Sequence, residues 1–340
     1  MTRVITFGEI MLRLSPPGHQ RFVQASAFEV CYGGGEANVA VSLANYGLDA
    51  AFVTKVPDHE IGQSAINQLR RFGVDTRFIA RGGNRLGIYF LETGAAQRPS
   101  KVIYDRQHSA IAEADPKDFN WQEIFAGAKW FHFTGITPAL SSKAATATFN
   151  ACRTAKEMGL TVSVDLNYRQ KLWSPEEANK TMSKLMPYVD VCIGNEEDAE
   201  KVFGIKAGNT DITRGKINHK AYEEVAQQLM NRFNFKFVAS TLRESRSASD
   251  NGWSAMLYDG QTAYYSRQYD IHLVDRVGGG DSFASGLIYG LLTGMAPQTA
   301  LEFATAASAL KQTVPGDFNL VSGKEVETLM QGDGSGRVQR

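Results

Sequence analysis

Short apolar runs alternate with longer stretches of helical periodicity along most of the chain. The runs at 4–7, 51–54, 130–133, 161–165, 189–193 and 235–241 have strand length and are apolar. Apolar positions recur three and four apart at 62–72, 142–158, 175–185, 196–203, 221–232, 281–292 and 300–310, and a further helix is expected over 39–47. Apolar strands separated by helices predict an α/β fold with a mainly parallel sheet covered on both faces. Two stretches, 11–32 and 75–108, break this rhythm. They show alternating strand patterns, turn glycines and no helical period, most clearly at 86–91 and 102–104. A small antiparallel sheet inserted in two pieces fits them. The expected organisation is therefore an α/β core of 1–10, 33–74 and 109–331, a β-sheet insert of 11–32 and 75–108, and a flexible Gly-rich tail of 332–340.

Composition narrows the function classes. Lys+Arg and Asp+Glu both number 36, so neither a nucleic-acid nor a membrane surface is expected. No apolar run approaches the ~20 residues of a membrane span. The first residues read as a strand and not as a signal peptide. Cys31, Cys152 and Cys192 lie far apart in apolar runs, which predicts reduced core thiols in a cytoplasmic protein. The histidines show no ligand spacing, and His132 is expected in the core or at a strand end.

The chemistry concentrates at Gly278, Gly279, Gly280 and Asp281, directly before a helical run. Glycines at a helix start let N–H groups converge, and the helix N-terminus adds positive potential, which makes a cradle for phosphate oxygens. Asp281, at or near the N-cap, is held ionised. Cradle and carboxylate together suit phosphoryl transfer to a hydroxyl; a Gly-rich loop with an ordinary Asp cap is the alternative. Asp165, Asn167 and Arg169 follow an apolar strand, where ligands bind in open α/β sheets. Arg169 is placed to grip a carboxylate or phosphate, or else to stack on Trp173. Arg106, beside Tyr104, would reach from a strand of the insert onto a polar substrate. Tyr89 and Tyr104 read equally as cross-strand aromatics. Absent motifs exclude other chemistries. Gly323-Lys324 is followed by Glu325, so there is no P-loop. The third position after Gly33 and Gly35 is Asn38, so no dinucleotide fingerprint follows the first strand. A Gly-x-Ser-x-Gly elbow is also lacking.

The run from Asp275 to Asp281 closely resembles the signature of the PfkB, ribokinase-like carbohydrate kinases, Asp-Thr-x-Gly-Ala-Gly-Asp, with Arg276 for Thr and Gly279 for Ala. Gly33 to Ala40 resembles their Gly-Gly-x-x-x-Asn-x-Ala element. The resemblance covers nearly the whole chain. It implies a ribokinase-like three-layer α/β sandwich whose small β-sheet is a lid over the sugar and often clasps a second subunit, giving a homo-oligomer. It also implies ATP and Mg2+. The run from Asp165 to Trp173 looks like that of 2-keto-3-deoxygluconate kinases and some fructokinases, and Tyr104-x-Arg106 with Tyr89 resembles the former. The implied reaction is MgATP-dependent phosphorylation of the primary hydroxyl of 2-keto-3-deoxygluconate. Asp281 is then the base, and Gly278, Gly279 and Gly280 hold the phosphoryl charge. Gly34, Asn38, Tyr89 and Tyr104 face the sugar, and Arg106 and Arg169 its acid end. Asn167, Asn195, Thr241, Arg243, Gly278 and Gly280 serve ATP, with loop 244–252 near the adenine or ribose. Asp198 stands where the family's Asn-x-x-Glu element has Glu, so Asp198 or Glu197 would organise the metal through water. Lys311 either borders the nucleotide or is solvated. Two arginines aimed at one substrate favour a sugar acid. A kinase of fructose or another hexose is the nearest alternative. A dinucleotide-dependent oxidoreductase is disfavoured by the missing fingerprint, and a non-catalytic sugar sensor by the intact Asp281 and glycine triplet.

Overall fold

The computed structural model describes residues 3–206, 218–332 and 334. Most of the predicted tail, 332–340, lies outside the described residues. The first half of the chain forms β1 (Arg3–Phe7), β2 (Met11–Ser15), β3 (Glu29–Gly33), α1 (Gly35–Asn45), β4 (Asp49–Val56), α2 (Glu60–Arg71), β5 (Ile79–Arg81), β6 (Gly87–Glu92), β7 (Lys101–Asp105), α3 (Trp121–Ile124), β8 (Ala128–Thr134), α4 (Ile136–Ala139), α5 (Ser142–Glu157) and β9 (Thr161–Asp165). There follow α6 (Pro175–Leu185), β10 (Val191–Ile193), α7 (Glu196–Phe203), α8 (His219–Phe233), β11 (Phe237–Ser245), β12 (Asp250–Tyr258), β13 (Ala263–Tyr265), β14 (Tyr269–His272), α9 (Gly279–Leu292), α10 (Pro297–Lys311) and α11 (Gly323–Met330). Local chemistry sets several starts. Ser174 caps α6 through a capping box with Pro175 in the first turn, and Asn195 caps α7 with Asp198 in return.

The large sheet has ten strands in the order β13-β12-β11-β10-β9-β8-β1-β4-β5, with β14 on β12. It is parallel from β11 to β5 and antiparallel beyond β11. Adjacent residues of one strand feed opposite cores. Ile5, Phe7, Phe131 and Phe133 pack with α5 to α8, whereas Val4, Phe52 and Trp130 pack with α1, α2, α9 and α10. Both faces are thus covered, which is why the strands read as continuous apolar runs. His132 is fully buried, bonds Ser163 Oγ at 2.8 Å and is held neutral, its pKa pushed down to about 3 by burial. Among the described residues no helix is long and apolar enough to cross a membrane.

Three features differ from the sequence reading. Ile79–Arg81 pairs with β4 at the edge of the large sheet, so the second insert begins after it. The polar stretch read as loop 244–252 contains only a tight turn. β11 and β12 pair across it from Val238–Tyr258 to Ser245–Asn251. The small sheet, β3-β2-β6-β7, is not wholly antiparallel, because β2 and β6 run parallel. Both leave from parallel core strands, β1 and β5, and keep their direction.

The small sheet roofs the carboxyl ends of the core strands. Its β6–β7 tip is tied down at the far side: Ala248 N donates to Ala96 O at 2.8 Å, and Ala96 N donates to Ser249 Oγ at 3.0 Å. At the near side Arg13 of β2 is 4% exposed and bridges two carboxylates, Nη2 to Asp275 at 2.7 Å and Nη1 to Asp317 at 2.8 Å. Asp317 also accepts the Tyr89 hydroxyl at 2.5 Å. Lys311 is not solvated. It is fully buried, and its Nζ donates to Asp275 O at 3.0 Å and Val314 O at 3.4 Å. Removing Arg13 would leave two buried carboxylates without their cation. Arg13→Met is therefore expected to cost roughly 3–5 kcal/mol of folding free energy, read from the urea midpoint; a loss within measurement error would refute a structural role for the bridge.

Candidate active site

A cleft of about 560 Å³ opens beneath the lid. Its floor is built from residues just past β1, β8, β9 and β10, namely Glu9, Ile136, Asn167 and Asn195, and from Thr241 and Arg243 within β11. This is the crevice where open α/β sheets bind ligands.

Gly278 adopts the left-handed conformation, φ 80°, and is the N-cap of α9. A Cβ there would stand 2.1 Å from Asp317 O, so both its backbone angle and its packing require glycine. Gly279 and Gly280 are already helical, and Gly279 needs no left-handed backbone. Asp281 consequently lies in the first turn and does not cap the helix; its carboxylate faces the cleft. The N–H of Gly279 bonds Arg276 O at 3.3 Å, while those of Gly278, Gly280 and Asp281 find no acceptor among the described residues. Unpaired N–H groups at a helix N-terminus are an anion site. The cradle differs from the expected triplet in one member, Asp281 N–H in place of Gly279.

The two sequence motifs meet here. Asn38 Nδ2 donates to Asp281 Oδ2 at 2.6 Å, and Asn38 Oδ1 accepts from Gly34 N at 3.3 Å. Gly34 lets the Glu9 backbone pack against this turn, because a Cβ would lie 1.9 Å from Glu9 O. Burial pushes the Asp281 carboxyl up to about 6, opposed by the Asn38 hydrogen bond and raised further by Asp317. The group is ionised at neutral pH yet close enough to it to take and release a proton.

A second acidic group lies past β9 and β10. Asp165 is held well above the usual carboxylate range, by burial first and then by the Asp198 and Asp281 charges. Asp198 is a strut: it accepts from Tyr168 N at 2.8 Å and Asn195 N at 3.1 Å. Glu197 is exposed on the cleft wall. No three His, Cys, Asp or Glu side chains among the described residues converge on one metal position. Mg2+ bound with phosphates needs only one or two carboxylates and keeps its waters. The mutual repulsion at Asp165 is the kind of excess charge that such a cation relieves. Asn167, at φ 39°, turns the chain beside it.

Arg106 reaches the cleft but not as a free cation. Its Nε donates to Glu9 Oε2 at 2.8 Å, its Nη2 bonds the same oxygen, and Ser109 Oγ donates to Glu9 Oε1 at 2.7 Å. The guanidinium stands 5.2 Å from the Tyr104 ring. Tyr89 and Tyr104 are directly opposed across β6 and β7, and both also line the cleft. Arg169 is exposed, and among the described residues its only bond is from Nη1 to Tyr168 O at 3.0 Å. Glu9, Arg13, Glu36 and Asp317 were not singled out from the sequence. Glu36 accepts from Thr134 N and Oγ1, both at 2.9 Å, and Thr137 Oγ1 at 2.6 Å, and burial lifts it to about 7. Its place one residue after the glycines of the first motif was the available signal.

Residues 1–321 match the pfkB family of carbohydrate kinases. The crystal structure of a 2-dehydro-3-deoxygluconokinase from Thermotoga maritima aligns with a TM-score of 0.94 at 55% identity, covering 98% of this chain and 100% of that one. A 2-dehydro-3-deoxygalactonokinase from Haloferax volcanii is 35% identical over 333 residues, 98% of each chain. A 2-dehydro-3-deoxygluconokinase from Bacillus subtilis is 27% identical over 319 residues, 93% of this chain and 91% of that one.

Asp281→Asn preserves shape and the acceptor for Asn38 but cannot take a proton. A kcat loss of roughly a hundredfold or more is expected. The same variant should be more stable than the parent by on the order of 1–2 kcal/mol at neutral pH. A carboxyl raised in the fold opposes folding once ionised. The gap is thus absent well below the unfolded value of 3.8, grows as pH rises through about 6, and is constant above it. Activity of the parent should fall as pH drops below about 6. A variant with near-normal kcat, or one destabilised at pH 7, would contradict the assignment.

Proposed function

The chain belongs to the pfkB family of carbohydrate kinases, and from this we propose that it transfers the γ-phosphoryl group of MgATP to the primary hydroxyl of 2-keto-3-deoxygluconate. The products are 2-keto-3-deoxy-6-phosphogluconate and MgADP. One observation carries the reading: a carboxylate tuned to about 6 stands beside helix N–H groups that have no acceptor among the described residues, in a cleft that also holds Arg169, which makes no direct ion pair with a described residue and whose charge favours the ionised form of Asp281. The hydroxyl gives its proton to Asp281 as its oxygen attacks phosphorus, and the bond to the ADP oxygen breaks. The N–H groups of Gly278, Gly280 and Asp281 receive the equatorial charge. Mg2+, when bound with ATP, neutralises charge across the phosphates; Asp165, with Asp198 and Glu197 behind it, would hold it through water. Thr241 and Arg243 face the nucleotide. Gly34, Asn38, Tyr89 and Tyr104 face the sugar.

The acid end of the sugar is assigned mainly to Arg169. Arg106 is already neutralised by Glu9, and only its Nη1 lacks a partner among the described residues. Arg106 thus contributes one oriented donor where a full charge had been expected. Truncating it would orphan Glu9 in the core of the site, so Arg169 is the cleaner probe.

The outer face of the lid supports a homodimer. Val30, Leu14, Phe90 and Ile103 lie in register across all four strands, and Val30 and Ile103 are 61% and 53% exposed. An uncharged row of this kind is self-complementary about a two-fold axis. The free thiols of Cys152 and Cys192, both buried, and of Cys31 on the lid fit a cytoplasmic location.

An ADP-release screen over sugars and sugar acids, including both the gluconate and galactonate epimers, is expected to show highest kcat/KM on 2-keto-3-deoxygluconate. Arg169→Ala should lower kcat/KM for the acid by roughly thirtyfold or more and for a neutral hexose by less; equal losses would move a fructokinase reading ahead. Val30→Lys should halve the mass measured by light scattering without loss of fold. An unchanged mass would exclude this face as the dimer contact.

A further inference from the structure

The arginines around the cleft fall into two sets. Arg13 and Arg106 are paired with buried carboxylates. Arg243 and Arg276 also line the cleft, yet neither makes an ion pair or a side-chain hydrogen bond with any described residue. They come from different elements: Arg243 from the end of β11, and Arg276 from the turn whose carbonyl receives the Gly279 N–H. Arg276 is half-buried, and its pKa is lowered by that burial and then by the Arg243 charge. Arg243 is exposed, so the desolvation falls on Arg276; a half-buried cation beside a like charge, with no ion pair to a described residue, is unfavourable until an anion joins them.

Position identifies the anion. Arg276 lies two residues before Gly278, so its side chain is adjacent to the phosphoryl cradle. The acids Asp165, Asp198 and Asp281 gather elsewhere along the cleft, past β9 and β10 and on α9, where the attacking hydroxyl and the metal would stand. We propose that Arg243 and Arg276 form a two-arginine clamp for the diphosphate of the bound nucleotide, the group that leaves in the reaction. This rests on the kinase reading above. Planar guanidinium groups suit phosphate oxygens because each can donate two parallel bonds. As the bond to the γ-phosphorus breaks, negative charge accumulates on the departing β-phosphate oxygens, where the clamp stands. The clamp therefore acts on ground-state nucleotide affinity and on the leaving group together.

The test is calorimetric binding of ADP, AMP and 2-keto-3-deoxygluconate, each alone, to the parent protein and to Arg276→Thr, Arg276→Lys and Arg243→Ala. Loss of a charged contact to phosphate is expected to weaken ADP roughly ten- to a hundredfold in Arg276→Thr. AMP, which lacks the β-phosphate, should weaken by less than about threefold, and the sugar acid should be unaffected. Arg276→Lys should fall between, because it keeps the charge and loses the fork. Since Arg276→Thr removes one of two repelling cations, its urea midpoint should equal or exceed that of the parent, which separates a binding defect from a folding defect. Unchanged ADP affinity in a parent that binds ADP would overturn the clamp alone. Weaker sugar-acid binding with intact ADP binding would also overturn it and reassign the pair to the substrate carboxylate. Absence of ADP binding by the parent would remove the kinase reading and the clamp with it.

Discussion

The Arg13 guanidinium, buried between Asp275 and Asp317, is the constraint on which the site is assembled. Three segments distant in sequence converge on it: the first lid strand, the turn that becomes the phosphate cradle, and the loop after α10. The backbone of Gly278 packs directly against Asp317 O, so the cradle takes its position from the same loop that Arg13 fixes. Lys311 secures that turn from below through Asp275 O. Buried charge clusters of this sort are poor sources of net stability, since desolvation consumes much of their attraction. What the cluster supplies is placement. The lid cannot shift relative to the cradle without separating charges that have no water to receive them.

The remaining charge in the cleft is deliberately unbalanced. Burial first, and then neighbouring acids, lift Asp165 and Asp281 above ordinary carboxylates, while Arg169, Arg243 and Arg276 make no direct ion pair with any described residue. Each imbalance opposes folding slightly. A metal with phosphates and an acidic substrate would cancel all of them at once. A site that violates local electrostatic rules while its surroundings obey them is the usual mark of function. The contrast with Arg106, matched to Glu9, is informative because both kinds of arginine line one cleft.

Periodicity and local motifs were legible because they depend on near neighbours. The helix over Pro175–Leu185 and the glycine-to-aspartate turn before α9 are encoded in contiguous residues, and so were read directly. That Asn38 and Asp281 serve one site came through resemblance and not through spacing, and the hydrogen bond between them was not read. Partner identity was not legible. Arg106 looked like a free cation because Glu9 lies 97 positions away, and Lys311 was left between the nucleotide and solvent because its acceptors are backbone carbonyls that leave no side-chain signature. The antiparallel end of the large sheet was hidden by the Ser- and Asp-rich turn between β11 and β12, whose polarity outweighed the strand signal on either side. The short β5 was absorbed into the lid for lack of length to show which sheet it joined.

The three glycines of the cradle are alike in sequence but held for different reasons. At 278 the protein's own backbone leaves no room for a side chain. At 279 a Cβ would meet only the pliable Gln312 side chain, at 3.2 Å, so drift to alanine is sterically open. At 280 nothing among the described residues lies within 4 Å, and a side chain would project into the cleft. Adjacent positions are therefore constrained by different means. A library randomised across the turn would lose 278 variants in a screen for folded protein, 280 variants only in a screen for turnover, and would retain small residues at 279 in both.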